Sequence, residues 1–150
     1  MQRFPFGLHI PVDDLREWVV AGIAHPVPTW TEETTRQFRL ARRSAATMAR
    51  MYAESGFAVA IDDVIFPNDT IDAVLQGLPF QKILLMPSLE AALERNAKRT
   101  HKDFDTSILA EPIRGIHAAM RKADFAAAGW RVIDNTTLTL DETLDAILEH

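Results

Sequence analysis

The sequence predicts an α/β fold with three layers, in which a mostly parallel sheet lies between helices on both faces. Four short apolar segments lack polar alternation: residues 7–12, 57–61, 80–86 and 130–133. Runs of this kind are typical of strands that are covered on both faces. Segments with helical periodicity separate the four runs, and strands that alternate with helices indicate a parallel, doubly wound sheet.

Length and composition predict one domain, covering residues 1–150. The chain has 150 residues, of which 47% are hydrophobic, enough for a substantial core. Its net charge of −5 argues against a broad nucleic-acid-binding or membrane-binding surface. The absence of cysteine excludes a disulfide framework, and no pair of histidines has the spacing of a helical zinc site. With no apolar segment long enough to span a bilayer and no signal-peptide pattern, we expect a cytoplasmic protein.

The first predicted strand, residues 7–12, is closed by two adjacent acids, Asp13 and Asp14. Apolar side chains then recur at helical spacing as far as Ile23, and either acid is placed to cap that helix. Two prolines in the following segment predict a loop there.

Residues 29–55 carry the longest helical pattern, with Thr31 and Thr34 as plausible caps. One face of this helix is apolar, with these side chains: Phe38, Ala41, Ala45, Met48 and Tyr52. The nearly opposite face carries a row of arginines: Arg36, Arg39, Arg43 and Arg50. Such a row is either a solvated helix surface or a surface that binds phosphate or substrate, and the sequence leaves both interpretations open.

The central strand, residues 57–61, is followed directly by Asp62 and Asp63. In open α/β sheets, ligands bind just beyond the carboxyl ends of the strands. The two acids are therefore a candidate site for magnesium or phosphate chemistry. The alternative is that they are a polar cap on a buried strand.

The second half of the chain repeats the pattern of a strand, a polar turn and a helix. Ser88 is placed to cap a helix whose last turns carry Arg95 and Arg99, and cations there also complement the helix dipole. After the last strand, residues 134–137 form a polar turn, and Thr139 is a possible cap of the terminal helix.

With these elements in place, the chain resembles the P-loop NTPase small-molecule kinases of the nucleotide and shikimate kinase-like superfamily. This group includes chloramphenicol phosphotransferase and many zeta-toxin-like and AAA-domain kinases. The segments that carry the resemblance span almost the whole chain: residues 9–17, 60–65, 84–99 and 132–147. The resemblance implies a P-loop kinase-like domain with a lid at about residues 95–110. It also implies ATP-dependent transfer of a phosphoryl group to a hydroxyl of a small-molecule acceptor.

The phosphate-binding motif of that family, GxxxxGK(S/T), does not occur in this sequence. In the family it follows a central strand, which lies between the strands that correspond here to residues 57–61 and 80–86. Either an upstream segment carries the motif, or the chain is a short, non-catalytic relative that acts as a binding or regulatory module. We favour an upstream segment, because a sheet split at its centre leaves backbone groups unpaired, at about 1 kcal/mol or more for each missing hydrogen bond.

Carried over by position, the resemblance implies roles for the acids at the strand ends. Asp13 resembles the carboxylate that accepts the proton of the acceptor hydroxyl, with Asp14 as the fallback. Asp62 resembles the Walker B acid that holds Mg²⁺, with Asp63 as the alternative.

The resemblance also implies roles for basic and polar residues. Arg95 and Arg99 resemble lid arginines that neutralise the transferring phosphoryl group, and Asn135 and Thr136 lie where the family packs against the adenine of ATP. The arginines on the side where family members bind the acceptor are these: Arg16, Arg36, Arg39 and Arg43.

Two other α/β families fit the sequence less well. A response-regulator receiver domain would share the acidic pocket, but the last strand ends in Ile133 and Asp134 where that family needs a lysine. A nicotinamide-binding domain needs a glycine fingerprint after the first strand, where this chain has Pro11 to Asp14. An unpaired sheet edge would favour a homodimer.

Overall fold

The computed structural model describes residues 3–67, 71–98 and 106–149, in which helices alternate with short parallel strands. This confirms the α/β class in its coarse form. The chain divides into two compact units, residues 1–80 (unit 1) and residues 81–150 (unit 2). The prediction of a single domain over residues 1–150 stays a prediction.

Unit 1 is built on one pair of parallel strands and one long helix. Its elements, in chain order, are β1 (Gly7–Pro11), α1 (Val12–Glu17), α2 (Glu32–Glu54), β2 (Ala58–Asp62) and α3 (Asp72–Leu75). The register of β1 and β2 places Gly7 opposite Ala58 and Pro11 opposite Asp62. The carboxyl ends of both strands therefore lie at the same edge of the pair.

The core of unit 1 lies between the strands and the apolar face of α2. Small side chains on α2 let the helix approach the strands closely, and Ala45 and Ala46 have no exposed surface. The other members of this core are Ile10, Val12, Ala41, Ala49 and Leu75. The apolar face predicted for α2 is thus correct for Phe38, Ala41 and Ala45, all of which are buried.

Helix α2 begins and ends as the sequence predicts. Thr31 and Thr34 form a capping box, in which each side chain accepts a hydrogen bond from the other residue's backbone N–H. Gly56 follows the helix with φ of 85°, a left-handed conformation that favours glycine at this position.

Helix α1 is shorter than predicted, because it ends at Glu17 and does not reach Ile23. Pro11 occupies its N-cap position, and Asp13 and Asp14 lie in the first turn without capping it. Beyond the helix, the side chain of Gln37 accepts a hydrogen bond from Ala24 N and donates one to Gly22 O. These contacts fix the segment as a loop against α2, which the local sequence pattern does not reveal.

Unit 2 contains a second pair of parallel strands and three helices. Its elements, in chain order, are β3 (Ile83–Leu85), α4 (Leu89–Ala97), a 3₁₀ turn (Thr106–Leu109), α5 (Ala110–Lys122), β4 (Arg131–Ile133) and α6 (Leu140–Leu148). Ile83 lies opposite Arg131 in the parallel register. Both strands lie within the segments predicted for them. The predicted caps Ser88 and Thr139 are confirmed, since each accepts a hydrogen bond from the first turn of its helix.

Polar side chains that bind backbone carbonyls contribute much of the tertiary structure of unit 2. Phe125 is its one buried hydrophobic residue among those the structure describes, and its ring meets that of Trp130 edge-on at 5.6 Å. The guanidinium of Arg131 donates to three carbonyls at the end of α6, those of Ala146, Ile147 and Glu149. These bonds satisfy carbonyls that a helix end leaves without intrahelical partners.

Across the described ranges, no helix combines the length and the apolar character that crossing a membrane requires. The expected cytoplasmic location stays a prediction.

Candidate functional site

Two exposed carboxylates lie at the strand ends of unit 1. Asp62 is the last residue of β2, and its register partner on β1 is Pro11. Asp13 lies two residues beyond Pro11, in the first turn of α1. The exposed fractions of their side chains are 73% and 64%. Both carboxylates are therefore accessible at the carboxyl edge of one parallel strand pair, which is where α/β proteins bind ligands.

Asp63 is adjacent to Asp62 but lies in a different environment. Its side chain is 6% exposed, and its Oδ2 accepts a hydrogen bond from Arg42 Nε at 2.5 Å. Arg42 also donates to the backbone carbonyl of Val64 at 3.1 Å. Burial raises the pKa of Asp63, and the Arg42 guanidinium acts in the opposite direction. Of the two candidate metal ligands, Asp62 is the one whose carboxylate is open to solvent.

Arg42 is not among the residues predicted for the site, although the sequence contains a signal for it. Arg42 lies four residues after Phe38 and three before Ala45, so helical spacing places it on the buried face of α2. It is 8% exposed, unlike Arg39 and Arg43 on either side of it. A charged residue within an apolar face requires a buried partner, and here the partner is Asp63.

Arg16 lies beneath the surface beside Asp13. Its Nη2 donates to Ala24 O at 2.7 Å, its Nη1 lies 4.0 Å from Asp13 Oδ1, and its guanidinium stacks 3.9 Å from the centre of the Phe38 ring. Burial lowers the pKa of Arg16, while the carboxylate of Asp13 raises it. Its Nε is buried without a hydrogen-bond partner. Arg16 therefore brings positive charge close to Asp13 while it also fixes the loop after α1.

Three members of the predicted arginine row lie on the solvent-exposed side of α2, whereas the fourth, Arg50, donates hydrogen bonds to the carbonyls of Val74 and Gln76. Arg36, Arg39 and Arg43 are exposed, and they line a shallow groove of about 520 Å³ together with Glu32, Thr35 and Leu40. Arg36 donates two hydrogen bonds of 2.7 Å to the carboxylate of Glu33. These bonds lower the pKa of Glu33 to about 2. The three exposed arginines of the row face away from the core side of α2, where Arg42 binds Asp63.

In unit 2, the turns that follow β3 and β4 are joined by hydrogen bonds. Ser88 N donates to Thr136 Oγ1 at 2.7 Å, and Thr136 Oγ1 in turn donates to Asp134 Oδ1 at 2.5 Å. The second bond, from the Thr136 hydroxyl, lowers the pKa of Asp134. Thr136 thus connects the two strand ends of this unit.

Arg95 lies against the turn after β4, which contains the two residues predicted to contact adenine, Asn135 and Thr136. Its Nη2 donates to Asn135 O at 2.7 Å and to Thr136 O at 3.3 Å. Asn135 is 8% exposed, and its Oδ1 is buried without a hydrogen-bond partner. Arg99 and part of the predicted lid lie outside the described residues.

The arrangement at Asp62 suits a magnesium ion that keeps most of its water ligands. Within the parts of the chain that the structure describes, no group of three or more histidine and acidic side chains converges on one point. Magnesium in kinases is commonly held by one or two carboxylates, and water and substrate phosphates complete the octahedron. The exposed carboxylate of Asp62, whose Oδ2 lies 3.6 Å from His9 Nε2, could supply one such ligand.

No protein-family model matches this chain, and a search of the curated proteins gave no match either.

Proposed function

We propose that this chain is the metal-binding and acceptor-binding part of an ATP-dependent small-molecule kinase. Its phosphotransferase activity would require a glycine-rich phosphate-binding loop, which this sequence does not contain. The observation that carries the proposal is the pair of exposed carboxylates, Asp13 and Asp62, at the carboxyl edge of one parallel strand pair. The structure uses the neighbouring acid, Asp63, for a buried ion pair and leaves these two accessible.

In this proposal, Asp13 accepts the proton of the acceptor hydroxyl as that oxygen attacks the terminal phosphorus of ATP. General base catalysis requires only that the carboxylate lie within hydrogen-bond reach of the hydroxyl. The guanidinium of Arg16 places positive charge 4.0 Å from this carboxylate.

Asp62 is the residue that would hold Mg²⁺, which when bound neutralises charge on the phosphate oxygens. Its position at the end of β2 is fixed by the backbone on both sides. Pro11 of β1 is its register partner, and Arg42 holds the next two residues through Asp63 Oδ2 and Val64 O. Asp62 is thus presented from a rigid backbone, which a metal ligand requires.

In unit 2, Arg95, Asn135 and Thr136 would form the part that contacts ATP. The hydrogen bonds from Arg95 to the carbonyls of Asn135 and Thr136 support a common role for these three residues. The exposed arginines of α2 would contribute to acceptor binding from the groove that they line.

Calorimetry with Mg²⁺ and ATP tests the proposal on this chain and on an N-terminally extended form that supplies a strand and a glycine-rich phosphate-binding loop. We expect the extended form to bind ATP and this chain not to bind it. In the extended form, Asp13→Asn should lower turnover by about 10²- to 10⁴-fold, and Asp62→Asn should abolish Mg²⁺-dependent turnover. The matched control is Glu17→Gln, which removes an exposed acid of α1 and should leave turnover unchanged.

Three results would count against this account. Tight ATP binding by the short chain would overturn the account of the missing loop. Failure of both forms to bind would favour the non-catalytic module. Normal turnover by Asp62→Asn would reassign that residue to a cap of β2.

A further inference from the structure

We propose that His9 and Asp62 form a two-ligand site for a divalent transition-metal ion of the Zn²⁺ and Co²⁺ class. The two side chains lie on the face of the β1–β2 pair opposite the core. The site shares Asp62 with the proposed kinase function, but metal binding at this pair does not depend on that function.

Strand periodicity places the two side chains on the same face. His9 lies opposite Ala60 in the parallel register, and Asp62 is two residues further along β2. Because alternate residues of a strand point to the same face, His9, Ala60 and Asp62 share one side of the pair. Leu8, Ile10, Val59 and Ile61 point to the other side, where they belong to or pack against the core.

Small residues leave this face open around the two side chains. Gly7 and Ala60, the neighbours of His9 and Asp62 on the same face, are both exposed. The side chain of His9 is 55% exposed and that of Asp62 is 73% exposed. An ion bound between them would have two protein ligands, one fewer than catalytic zinc sites usually have, and water would complete its coordination.

The distance between the ligand atoms suits a tetrahedral ion. His9 Nε2 lies 3.6 Å from Asp62 Oδ2. An ion about 2.1 Å from each atom would separate them by about 3.4 Å at the tetrahedral angle. An octahedral Mg²⁺ with adjacent ligands at the same bond length would require about 3.0 Å. The observed separation of 3.6 Å exceeds the tetrahedral value by about 0.2 Å and the octahedral value by about 0.6 Å, so the two side chains would move less to bind the tetrahedral ion.

The chemistry of the two ligands selects the same class of ion. Imidazole nitrogen is a good ligand for zinc and other first-row transition metals, whereas Mg²⁺ and Ca²⁺ prefer oxygen ligands. A histidine paired with a carboxylate therefore discriminates in favour of Zn²⁺ or Co²⁺. Mg²⁺ would gain nothing from His9.

Titration of the purified chain with Zn²⁺ by calorimetry, and with Co²⁺ by visible absorption, tests this site directly. We expect one ion per chain and the intense visible bands of cobalt in a near-tetrahedral environment. His9→Gln and Asp62→Asn should each weaken binding by about tenfold or more, since even the loss of a residue that only hydrogen-bonds a metal ligand commonly has this effect. His25→Gln, which replaces an exposed histidine outside the strands, is the matched control and should bind as the unaltered chain does.

Because His9 and Asp62 are largely exposed, the variants should fold, and their thermal unfolding midpoints should match that of the unaltered chain. The proposal is overturned if the unaltered chain binds neither ion, or if either His9→Gln or Asp62→Asn binds both ions with unchanged affinity. None of these measurements uses ATP. Their failure would leave the proposed kinase function standing, and the absence of ATP turnover would leave this site standing.

Discussion

Units 1 and 2 are both organised around two parallel strands, but different kinds of side chain hold them together. Unit 1 buries a continuous apolar cluster against a helix of 23 residues, with Ala45 and Ala46 fully inaccessible. Unit 2 has Phe125 as its single buried hydrophobic residue in the described ranges, while Asn96, Asn135 and Thr143 are buried polar residues. Arginines bind backbone carbonyls in both units, as Arg16 and Arg42 do in unit 1 and as Arg95 and Arg131 do in unit 2. In unit 2, however, these bonds are not accompanied by a buried apolar cluster among the described residues.

The difference shows how helix length determines what stabilises a small α/β unit. A long amphipathic helix with small residues on one face removes much apolar surface from water and tolerates one buried ion pair. Helices of nine residues, such as α4 and α6, bury less surface each, so their capping and carbonyl contacts carry a larger share of the stability. We therefore expect unit 1 to be sensitive to packing and buried charge, and unit 2 to be sensitive to lost hydrogen bonds.

The largest effect is expected for Arg42→Met. This change leaves the carboxylate of Asp63 buried without its partner, and removing one member of a buried ion pair typically costs about 3–5 kcal/mol in unfolding free energy. Urea denaturation measures the loss. Arg43→Met replaces the exposed neighbour and should change stability by less than about 0.5 kcal/mol. Equal effects of the two variants would show that the ion pair does not stabilise unit 1.

The stability of this variant should also depend on pH in a defined direction. Burial raises the pKa of Asp63 above its unfolded value, so protonation favours the folded state. The stability that protonation of Asp63 contributes is fully present below its ordinary pKa of 3.8, and it is lost as the pH rises through the raised pKa. Without Arg42 the pKa of Asp63 should rise further. The unfolding free energy that Arg42→Met loses should therefore become smaller as the pH falls. A deficit that stays constant from neutral to acidic pH would contradict this account.

An intermediate effect is expected from overpacking the core of unit 1. Ala45→Leu inserts three carbon atoms where the side chain has no exposed surface, and overpacking typically costs about 1–3 kcal/mol. Ala118→Leu makes the same change at an exposed position of α5 in unit 2 and should stay within about 0.5 kcal/mol. Chemical denaturation of the two variants gives the comparison. The prediction would be wrong if Ala45→Leu were as stable as the unaltered chain.

The smallest effect sharpens the comparison with the same substitution in both units. Thr31→Ala and Thr139→Ala each remove a capping box, at a typical cost of about 1 kcal/mol. In α6 the loss should expose most of the helix to amide hydrogen exchange, because few buried side chains hold it. In α2 exchange should increase only in the first turn, since the core holds the rest. Equal spreading of exchange along both helices would show that packing does not distinguish them.

The parts of the fold that the sequence predicts are those whose signal is local. Helix α2 has a long apolar period, a threonine cap and a terminal glycine, and the structure bears out all three. The early end of α1 could not be predicted in this way. It depends on contacts between Gln37 and the backbone of Gly22 and Ala24, which lie 13 to 15 residues away.

The candidate site shows the same limit. The sequence places Asp62 and Asp63 at a strand end, but it does not tell which acid is buried, because Arg42 decides this from 21 residues away. Likewise, the contact of Arg95 with Asn135 joins residues 40 positions apart. The helical spacing of Arg42 with Phe38 is the one local clue that could have identified the buried partner.

The alternation of β2 also constrains how this chain can change in evolution. Because neighbouring residues of an extended strand point in opposite directions, a one-residue insertion before Asp62 would move this residue to the position of Asp63 and would move Asp63 one position further along the chain. The acid now beside His9 would turn towards Arg42, and the acid now bound to Arg42 would turn outwards. An insertion of two residues would restore the original orientation. Insertions or deletions in this strand should therefore be tolerated when they involve an even number of residues, whereas the loop after α1 has no such restriction.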